Sequence, residues 1–521
     1  MTSITLLQKL EARCGDAPDA PAIMDANGRG LSRRQLLQKI RVMSRGFTAA
    51  GLEPGERVLF AVRVDVAAVV LMIAIVEAGG VLVPLDSVAG PELFSSRMAL
   101  LSPRWVVAES LLFSASANPW VRRFLAWCGI KLQPLTKVEN ARFVRVGRKW
   151  PGVPASQSSN TLEKLGERSD NANRSNVGSE DAVIIVFTSG TTGSPKAVVH
   201  SRGSMQGVFE TVGSMLDTDS DDVIYARELH LILPALFAGA SVIVPRCSGF
   251  SVERTLRDLK RFHVTHFFGV AAEFQQLVDH LHSHNRKLPQ SLREIWIGAA
   301  PVHAVFLERL ETVLPRDAKV WCVYGMTEIL PVARVSLAEK VRYEGEGDLV
   351  GKCVPGVCAS ISADGELVLR GANLFSGYFG EAAFTELATG DLARLDNNRI
   401  VLLGRRKDMI IRRQFNIYPE LYESTIERID GVRRSAMVGL YDETAADERV
   451  VLAVEPCAGV GGSTLTERVW RELRNGPCSI DPAALPDDIL VMVLPVTGRS
   501  SKIDKVRLRE IARQMITCAS P

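Results

Sequence analysis

The sequence has few of the features that mark secreted or membrane-spanning proteins. Its nine cysteines are scattered and none forms a Cys-x-x-Cys pair, which argues against a disulfide framework or a zinc site and favours a reducing compartment. The longest apolar run, residues 66–76, is much shorter than the ~20 residues that cross a bilayer. The first residues also lack the charged, apolar and small segments of a signal peptide. These observations predict a cytoplasmic protein without a membrane span.

Charge of one sign is not in excess either. Lys and Arg number 62 against 59 Asp and Glu, which leaves a net charge of +3, so we expect no nucleic-acid partner. Hydrophobic residues make up 46% and charged residues 23% of the chain, which is typical of globular proteins and excludes wholesale disorder. At about 150 residues per domain, 521 residues allow three or four domains, or one very large domain and a small one.

Apolar runs of strand length alternate with helical patterns along most of the chain. A capping pair, Ser32 and Gln35, opens one helical pattern, and an apolar run at 57–62 follows it. This alternation predicts an α/β fold of mostly parallel sheets flanked by helices. Residues 151–180 are polar and aperiodic, so we expect a mobile surface connection there. Over the last ~110 residues the strand patterns lie closer together, which predicts a separate small α+β domain.

The most informative segment is a loop rich in glycine and hydroxyl residues that ends in a lysine. It reads Thr188-Ser-Gly-Thr-Thr-Gly-Ser-Pro-Lys196 and follows an apolar run at 183–187. Glycines let the backbone wrap round an anion, hydroxyl and N–H groups donate to phosphate oxygens, and a lysine neutralises charge. Pro195 precedes the lysine and no Ser or Thr follows it, so the loop differs from the pattern of P-loop enzymes. It predicts a phosphate-binding loop of another kind.

This loop resembles the signature of the adenylate-forming superfamily, which contains acyl-CoA synthetases, aryl-CoA ligases, nonribosomal peptide adenylation domains and luciferases. Further blocks similar to those of the family follow in order over nearly the whole chain. They are Ile297-Gly-Ala-Ala-Pro301, Tyr324-Gly-Met-Thr-Glu328, Gly365-Glu-Leu-Val-Leu-Arg-Gly371 with Gly377-Tyr378, Thr389-Gly-Asp391 and Gly404-Arg-Arg-Lys-Asp408. In the first of them, Ala299 stands where the family usually has glycine.

The resemblance implies an enzyme that uses ATP and Mg²⁺ to convert a small carboxylic acid into an acyl-adenylate, with release of pyrophosphate. A carboxylate is a poor electrophile, and the mixed anhydride gives it a good leaving group. Such a site must neutralise the triphosphate and hold the carboxylate in line with the α-phosphorus. The resemblance also implies a large domain over residues 1–404, a small mobile domain over 405–521, and a hinge between them at Lys407.

The resemblance assigns roles to individual positions. Lys502, Lys196, Thr327 and Glu328 are the implied catalytic residues, and Glu328 is also the implied Mg²⁺ ligand, since carboxylate oxygen suits this hard cation. The implied nucleotide-binding residues are Thr188, Ser189, Gly190, Thr191, Thr192, Gly193, Lys196, Ala299, Ala300, Pro301, Tyr324, Gly325, Met326, Thr327, Asp391 and Arg405. In this set the Tyr324 ring would stack on adenine and Asp391 would accept the ribose hydroxyls.

Lys502 is assigned through a motif that departs from the family's pattern. The segment 494–505 resembles a Pro-x-Thr-x-x-Gly-Lys motif, but it has one extra residue after Thr497 and Ser501 in place of glycine. Lys505 follows three residues later and is expected on a solvated face of the last helix. We therefore assign Lys502 as the lysine that bridges the carboxylate and phosphate oxygens.

The resemblance places an acyl pocket beside the Tyr324 block. Its implied lining is mostly apolar and offers no obvious charged partner for the α-amine of an amino acid, which favours a fatty or aromatic acid. The lining residues are His230, Phe267, Phe268, Gly269, Val270, Ala299, Gly325, Met326 and Ile329.

The acceptor of the acyl group and the oligomeric state are left open by the sequence. Transfer to the thiol of CoA or of an acyl or peptidyl carrier protein is the main expectation. However, Arg413 and Gln414 occupy positions where the family has two glycines beside the pantetheine tunnel. The residues after Glu328, Ile-Leu-Pro-Val-Ala333, resemble those of bacterial olefin β-lactone synthetases, in which the acid's own 3-hydroxyl attacks the adenylate. A non-catalytic nucleotide-binding relative is a third possibility.

Overall fold

The structure is a computed structural model that describes residues 6–85, 91–127, 132–169, 178–188, 196–246, 249–412, 415–442, 447–497 and 501–519. The chain divides into two compact units. The first contains residues 1–267, 326–331 and 371–385, and the second contains residues 268–325, 332–370 and 386–521. The predicted α/β class is confirmed, with large sheets, flanking helices and a small C-terminal domain. The domain boundary after residue 404 stays a prediction.

A large sheet in the first unit carries the predicted phosphate-binding loop. Its described strands lie in the order Gly377–Tyr378, Lys196–Ser201, Ala182–Thr188, Val81–Pro84, Arg57–Ala61, Trp105–Glu109, Arg142–Val146 and Gln157–Ser158. The strands from Ala182–Thr188 onward in this order pair in parallel. Val106 and Val107 point to opposite faces of the sheet, yet both are fully buried. Burial on both sides is typical of a parallel sheet that is covered by helices.

The first unit also contains a second group of strands and the helices of this part of the chain. Those strands lie in the order Gly30–Ser32, Pro21–Asp25, Ser241–Val244, Val223–Tyr225 and His266–Val270. The helices are Leu6–Asp16, Arg33–Ala49, Val66–Glu77, Pro91–Leu101, Ser110–Ala117, Pro119–Trp127, Ser159–Arg168, Arg202–Met215, Leu229–Ala238 and Val252–Arg261, with a short 3₁₀ turn at Leu135–Lys137. The predicted capping box is present: the Ser32 side chain accepts from the Gln35 N–H, and the Gln35 side chain accepts in return.

The segment predicted to be a mobile connection contains a packed helix, and the prediction is wrong for that part. Helix Ser159–Arg168 begins at Ser158, whose side chain accepts from the Thr161 N–H. Leu162 is fully buried. Gly166 lies so close to the helix Arg33–Ala49 that a Cβ atom would come within 1.9 Å of the Val42 carbonyl oxygen. A cap, one apolar anchor and a small residue are therefore enough to fix this short helix.

The second unit contains a long mixed sheet, in which most pairs of neighbouring strands are antiparallel. Its described strands lie in the order Glu294–Gly298, Lys319–Met326, Ile329–Ser336, Asp348–Cys353, Arg399–Arg405, Leu387–Asp396, Glu366–Gly371 and Val357–Ile361. The helices of the unit are Ala271–Ser283, Ala304–Glu311, Leu337–Val341, Pro419–Ile426, Gly462–Asn475 and Lys505–Ala519, with 3₁₀ turns at Arg406–Asp408 and Pro482–Ala484.

The C-terminal residues of the second unit build the small α+β domain. Strands Val432–Asp442, Asp447–Pro456 and Asp488–Val491 form its sheet, and two short hairpins pair Ile410–Arg412 with Phe415–Ile417 and Val496–Thr497 with Lys502–Ile503. Alternate residues of the first strand point to two different cores. Met437 packs with Val469 of one helix, whereas Val438 packs with Leu508 of another. Because successive side chains of a strand point to opposite faces, these two cores bury both faces of the sheet.

No helix in the described part of the chain combines the length and the apolar character needed to cross a bilayer.

Candidate active site

The predicted phosphate-binding loop connects two antiparallel strands of the first unit. Thr188 is the last residue of one strand and pairs in register with Lys196, the first residue of the next. The loop therefore leaves and re-enters the sheet at adjacent positions. Five residues predicted to bind nucleotide fall outside the described residues: Ser189, Gly190, Thr191, Thr192 and Gly193. Lys196 is exposed, and its Nζ lies 4.6 Å from the centroid of the Tyr378 ring.

Glu328 lies in the turn between strands Lys319–Met326 and Ile329–Ser336 and is held from two sides. Its backbone carbonyl accepts from the Phe375 N–H at 2.7 Å. Its side-chain Oε1 accepts from the Tyr378 hydroxyl at 3.2 Å. Burial and the charge of Glu328 raise the pKa of Tyr378, so the hydroxyl keeps its proton and donates. The structure thus brings together Lys196 and Glu328, two of the predicted residues, on either side of one tyrosine.

Tyr378 was not among the site residues predicted from the sequence. It lies on the short strand Gly377–Tyr378, which pairs with Lys196–Ser201, so that Tyr378 is opposite Val198. This pairing places the ring next to Lys196 and the hydroxyl next to Glu328. The sequence pointed to this residue only through the Gly377-Tyr378 block, which is similar to a block of the family. That similarity does not indicate which residues Tyr378 contacts.

His200 is a second residue that the sequence did not single out. It lies on the same strand as Lys196 and is 5% exposed. Its Nε2 is 2.7 Å from the backbone carbonyl oxygen of Thr327, and its Nδ1 is 3.2 Å from the Ser204 hydroxyl. Burial lowers the pKa of His200, and the Thr327 carbonyl partly opposes this effect. A neutral imidazole that donates from Nε2 fits both contacts.

The second unit brings together three of the predicted nucleotide-binding residues. Asp391 and Arg405 are paired in register on adjacent antiparallel strands, and Arg405 Nε lies 2.7 Å from Asp391 Oδ1. The Tyr324 hydroxyl donates to Asp391 Oδ2 at 2.5 Å. Burial and the Asp391 charge raise the pKa of Tyr324. Each carboxylate oxygen has a second lone pair, so Asp391 can keep these partners and still accept a diol.

Lys502 lies within electrostatic range of this cluster, and its catalytic role stays a prediction. Burial of its ammonium group lowers the pKa of Lys502, and the positive charges of Arg405 and Lys407 lower it further. Asp391 and Asp408 oppose the shift. Cations that lower each other's pKa are stabilised by an added anion, because its charge relieves their repulsion. The cluster contains three cationic side chains, Arg405, Lys407 and Lys502, and two carboxylates, Asp391 and Asp408.

Lys505 does not lie on a solvated face, and that expectation is wrong. Its Nζ is 2.8 Å from the Glu423 carboxylate and 3.6 Å from that of Glu420. The first residue of helix Lys505–Ala519 thus meets two side chains of helix Pro419–Ile426, and Lys505 and Glu423 are only 13% and 11% exposed. Burial alone would lower the pKa of Lys505, but the two carboxylates raise it. Lys505 is therefore part of the core of the second unit.

The predicted acyl-pocket residues of the first unit are His230, Phe267, Met326 and Ile329. Phe267 and Ile329 are buried, and Phe267 makes an edge contact with Tyr225 at 5.5 Å between ring centroids. His230 is half-buried on helix Leu229–Ala238. Burial lowers the pKa of His230, although the Glu228 charge opposes this, so the side chain is a neutral polar group.

The other predicted pocket residues belong to the second unit: Phe268, Gly269, Val270, Ala299 and Gly325. A Cβ at Gly269 would come within 2.8 Å of the Phe274 ring, which explains glycine there. Ala299 has φ of 66°, a left-handed conformation that disfavours residues with a Cβ. This is the position at which the resemblance expects glycine, so the turn keeps its shape although alanine occupies it. Ala300 and Pro301 continue the same turn.

Comparison with known proteins places this geometry in a family. Residues 10–379 match the family model described as AMP-binding enzyme. The chain is 30% identical to a methyl-dioxo-octahydroindenyl-propanoyl:CoA ligase of Rhodococcus jostii (strain RHA1), over 56% of this chain and 58% of that one. It is 27% identical to a feruloyl-CoA synthase of Amycolatopsis sp over 82% and 84% of the two chains.

Two further similarities extend over more of the chain. An olefin β-lactone synthetase of Stenotrophomonas maltophilia (strain K279a) is 27% identical, over 89% of this chain and 88% of that one. Among solved structures, ATP-bound MatB from Rhodopseudomonas palustris superposes with a TM-score of 0.76 at 24% identity, over 97% of this chain and 99% of that one. The structural match extends to the C-terminal domain, beyond the residues that the family model covers.

Proposed function

Because the chain belongs to the family of AMP-binding enzymes and is an AMP-forming acid ligase, we propose that it uses ATP and Mg²⁺ to activate a fatty or aromatic acid as its acyl-adenylate. In the second half-reaction the thiol sulfur of CoA or of a carrier protein attacks the acyl carbon, AMP leaves, and the thiol proton is released. A carboxylate oxygen of the acid attacks the α-phosphorus, the bond from that phosphorus to the β-bridging oxygen breaks, and pyrophosphate leaves with the electron pair.

The observation that carries this proposal is the cluster formed by Asp391, Arg405 and Lys502. The Arg405–Asp391 contact of 2.7 Å fixes the carboxylate that would accept the ribose hydroxyls. Lys502 and Arg405 then present positive charge where the α-phosphate and the acid's carboxylate would meet. Charge that is already in place needs no reorganisation as the pentacoordinate phosphorus forms, which is the main source of electrostatic catalysis.

Glu328 is the residue proposed to hold Mg²⁺. Its carboxylate is a hard oxygen donor and the Tyr378 hydroxyl orients it. The described residues contain no cluster of three or more His, Cys, Asp or Glu side chains that could hold a metal alone, which fits an ion that takes its remaining ligands from phosphates and water. Bound there, the ion would neutralise the charge of the departing pyrophosphate. Lys196 and the hydroxyl residues of the loop would bind the same phosphates.

The proposed acids follow from the residues expected around the acyl group. Phe267 and Ile329 are buried apolar side chains. His230 is neutral, so it offers no negative charge to pair with the α-ammonium group of an amino acid. The carboxylates of Asp391 and Glu328 both have partners of their own. These features support a carboxylic acid with an apolar chain or ring rather than an amino acid.

A second candidate is the cyclisation of an adenylated 3-hydroxy acid to a β-lactone. One observation favours it: the similarity to the olefin β-lactone synthetase covers 89% of this chain, whereas that to the feruloyl-CoA synthase covers 82%. In this reaction the 3-hydroxyl oxygen attacks the acyl carbon, AMP leaves, and the hydroxyl proton is released, so no thiol is required.

One experiment separates these functions. Pyrophosphate release is measured with a panel of fatty, aromatic, 3-hydroxy and amino acids, with and without CoA, and the products are identified by mass. We expect release with an apolar acid and a thioester in the presence of CoA. A β-lactone formed without CoA would establish the second candidate. No ATP- and acid-dependent pyrophosphate release with any acid, from folded protein, would contradict both.

A further inference from the structure

A buried histidine links two parts of the candidate site that are more than a hundred residues apart in the chain. His200 belongs to strand Lys196–Ser201, which follows the phosphate-binding loop, and its Nε2 lies 2.7 Å from the carbonyl oxygen of Thr327. Thr327 and Glu328 form the turn between two strands. We propose that His200 is a positioning residue that holds this turn, and with it the Thr327 and Glu328 side chains, at a fixed distance from the loop.

The donor side of this contact is rigid. The backbone of His200 is paired with Ile184, and the adjacent Val199 pairs with Gly377 on the other side. The Ser204 hydroxyl, 3.2 Å from Nδ1, fixes the ring from behind. A side chain held at its backbone and at its far nitrogen has little freedom, so the Nε2–H group is a fixed reference point for the turn.

The Thr327 carbonyl determines which nitrogen of the neutral His200 imidazole carries the proton. A carbonyl oxygen cannot donate, so the contact with Thr327 requires a proton on Nε2. In the neutral ring Nδ1 is then an acceptor for the Ser204 hydroxyl, which also lies within donating distance of the Ser201 carbonyl at 3.2 Å. The turn has a second support, because the Phe375 N–H donates to the Glu328 carbonyl at 2.7 Å. Consecutive carbonyls of the turn are therefore each held by a different element. Without His200, the Thr327 carbonyl would lose this part-buried partner.

The consequence concerns geometry rather than chemistry, and for its activity readout it rests on the proposed function. The Thr327 hydroxyl and the Glu328 carboxylate would act on the triphosphate that Lys196 binds, so the distance between the turn and the loop sets how well they act together. A small displacement of such groups reduces the rate of the chemical step more than it reduces substrate binding.

Two amide variants test the inference with matched polarity. In His200→Gln the amide nitrogen extends about as far as Nε2 and can donate to Thr327. In His200→Asn the amide ends near the position of Nδ1 and cannot reach. Three quantities are measured in both: kcat and KM for ATP in pyrophosphate release, the melting temperature, and amide hydrogen exchange of peptides covering residues 324–331.

We expect His200→Asn to lose roughly 10-fold or more in kcat, with a smaller change in KM, and His200→Gln to recover most of that loss. Exchange in the turn should be faster in the Asn variant than in the Gln variant at similar melting temperatures. Equal losses of kcat in the two variants, or wild-type exchange in His200→Asn, would overturn the inference. If the wild-type protein releases no pyrophosphate with any acid, the proposed function fails, and the exchange comparison still decides the role of His200.

Discussion

Lys505 and Glu423 form a buried ion pair in which Nζ lies 2.8 Å from Oε1. The two side chains are only 13% and 11% exposed. Lys502, three residues earlier, has its ammonium group near the charges of Asp391 and Arg405 instead. The two lysines of this short segment therefore differ in role: Lys505 contributes to the fold of the small domain, and Lys502 belongs to the proposed chemistry. We expect substitution of Lys502 to lower activity and substitution of Lys505 to lower stability.

Lys502→Ala should remove most of the adenylation activity while the protein stays folded. Loss of one charge-assisted contact to the transition state costs ~3 kcal/mol or more, which is about a hundredfold in rate. We expect ATP binding and the melting temperature to stay close to those of the wild type. The measurement is acid-dependent pyrophosphate release together with equilibrium ATP binding. Wild-type release by the folded variant would show that another residue is the bridging lysine.

Lys505→Met should instead lower stability. It leaves the Glu423 charge buried without its partner, which costs on the order of 3 kcal/mol in the free energy of unfolding. Denaturant unfolding followed by far-UV circular dichroism measures the change, with Lys502→Ala as the control because it removes a lysine only three residues away that does not pair with Glu423. An unchanged free energy of unfolding would mean that the ion pair contributes nothing to the fold.

The destabilisation by Lys505→Met should depend on pH in a defined direction. Burial raises the pKa of Glu423, and Lys505 opposes that rise. Without the lysine the folded-state pKa lies further above the unfolded one, so the folded state binds the proton more tightly. The stability that this proton provides to the variant is therefore fully present below the unfolded-state pKa of Glu423. It is lost as pH rises through the folded-state pKa of Glu423. The deficit relative to wild type should therefore be smaller near about pH 4.5 than near about pH 8.

Tyr378→Phe should weaken the response to Mg²⁺. The variant keeps the ring beneath Lys196 but removes the hydroxyl that donates to Glu328 at 3.2 Å. We expect the Mg²⁺ concentration for half-maximal pyrophosphate release to rise about five- to tenfold, as one lost hydrogen bond to a charged group predicts. Tyr343→Phe is the matched control, since that hydroxyl contacts Arg394 in the second unit. An unchanged Mg²⁺ dependence in Tyr378→Phe would argue against the proposed role of Glu328 in holding the ion.

The sequence predicted those parts of the molecule that depend on local pattern. The capping pair at Ser32, the alternation of strands and helices, and the family's blocks all rest on residues close together in the chain. The roles of Tyr378 and His200 do not, because the hydrogen bond of Tyr378 to Glu328 and that of His200 to Thr327 join residues 50 and 127 positions apart in the chain. Burial of Lys505 likewise depends on Glu423, which no local spacing connects to it. Side chains that support a site through tertiary contacts are therefore the ones that a single sequence does not reveal.

Substitution of Arg413 and Gln414 tests which acceptor the enzyme uses. Both residues lie outside the described part of the chain, at positions where the family has two glycines. The neighbouring Arg412 has partners within the second unit, since its guanidinium donates to the Leu485 carbonyl and to Asp487. If the two bulky residues block the thiol's path, CoA will leave steady-state pyrophosphate release unchanged, and the double variant Arg413→Gly with Gln414→Gly will gain thioester formation. If Arg413 instead binds a phosphate of the acceptor, as guanidinium groups do well, the wild type will form the thioester and the double variant will form less. Detection of the products by mass distinguishes the two outcomes, and a thioester made by the wild type with CoA would refute the blocked path.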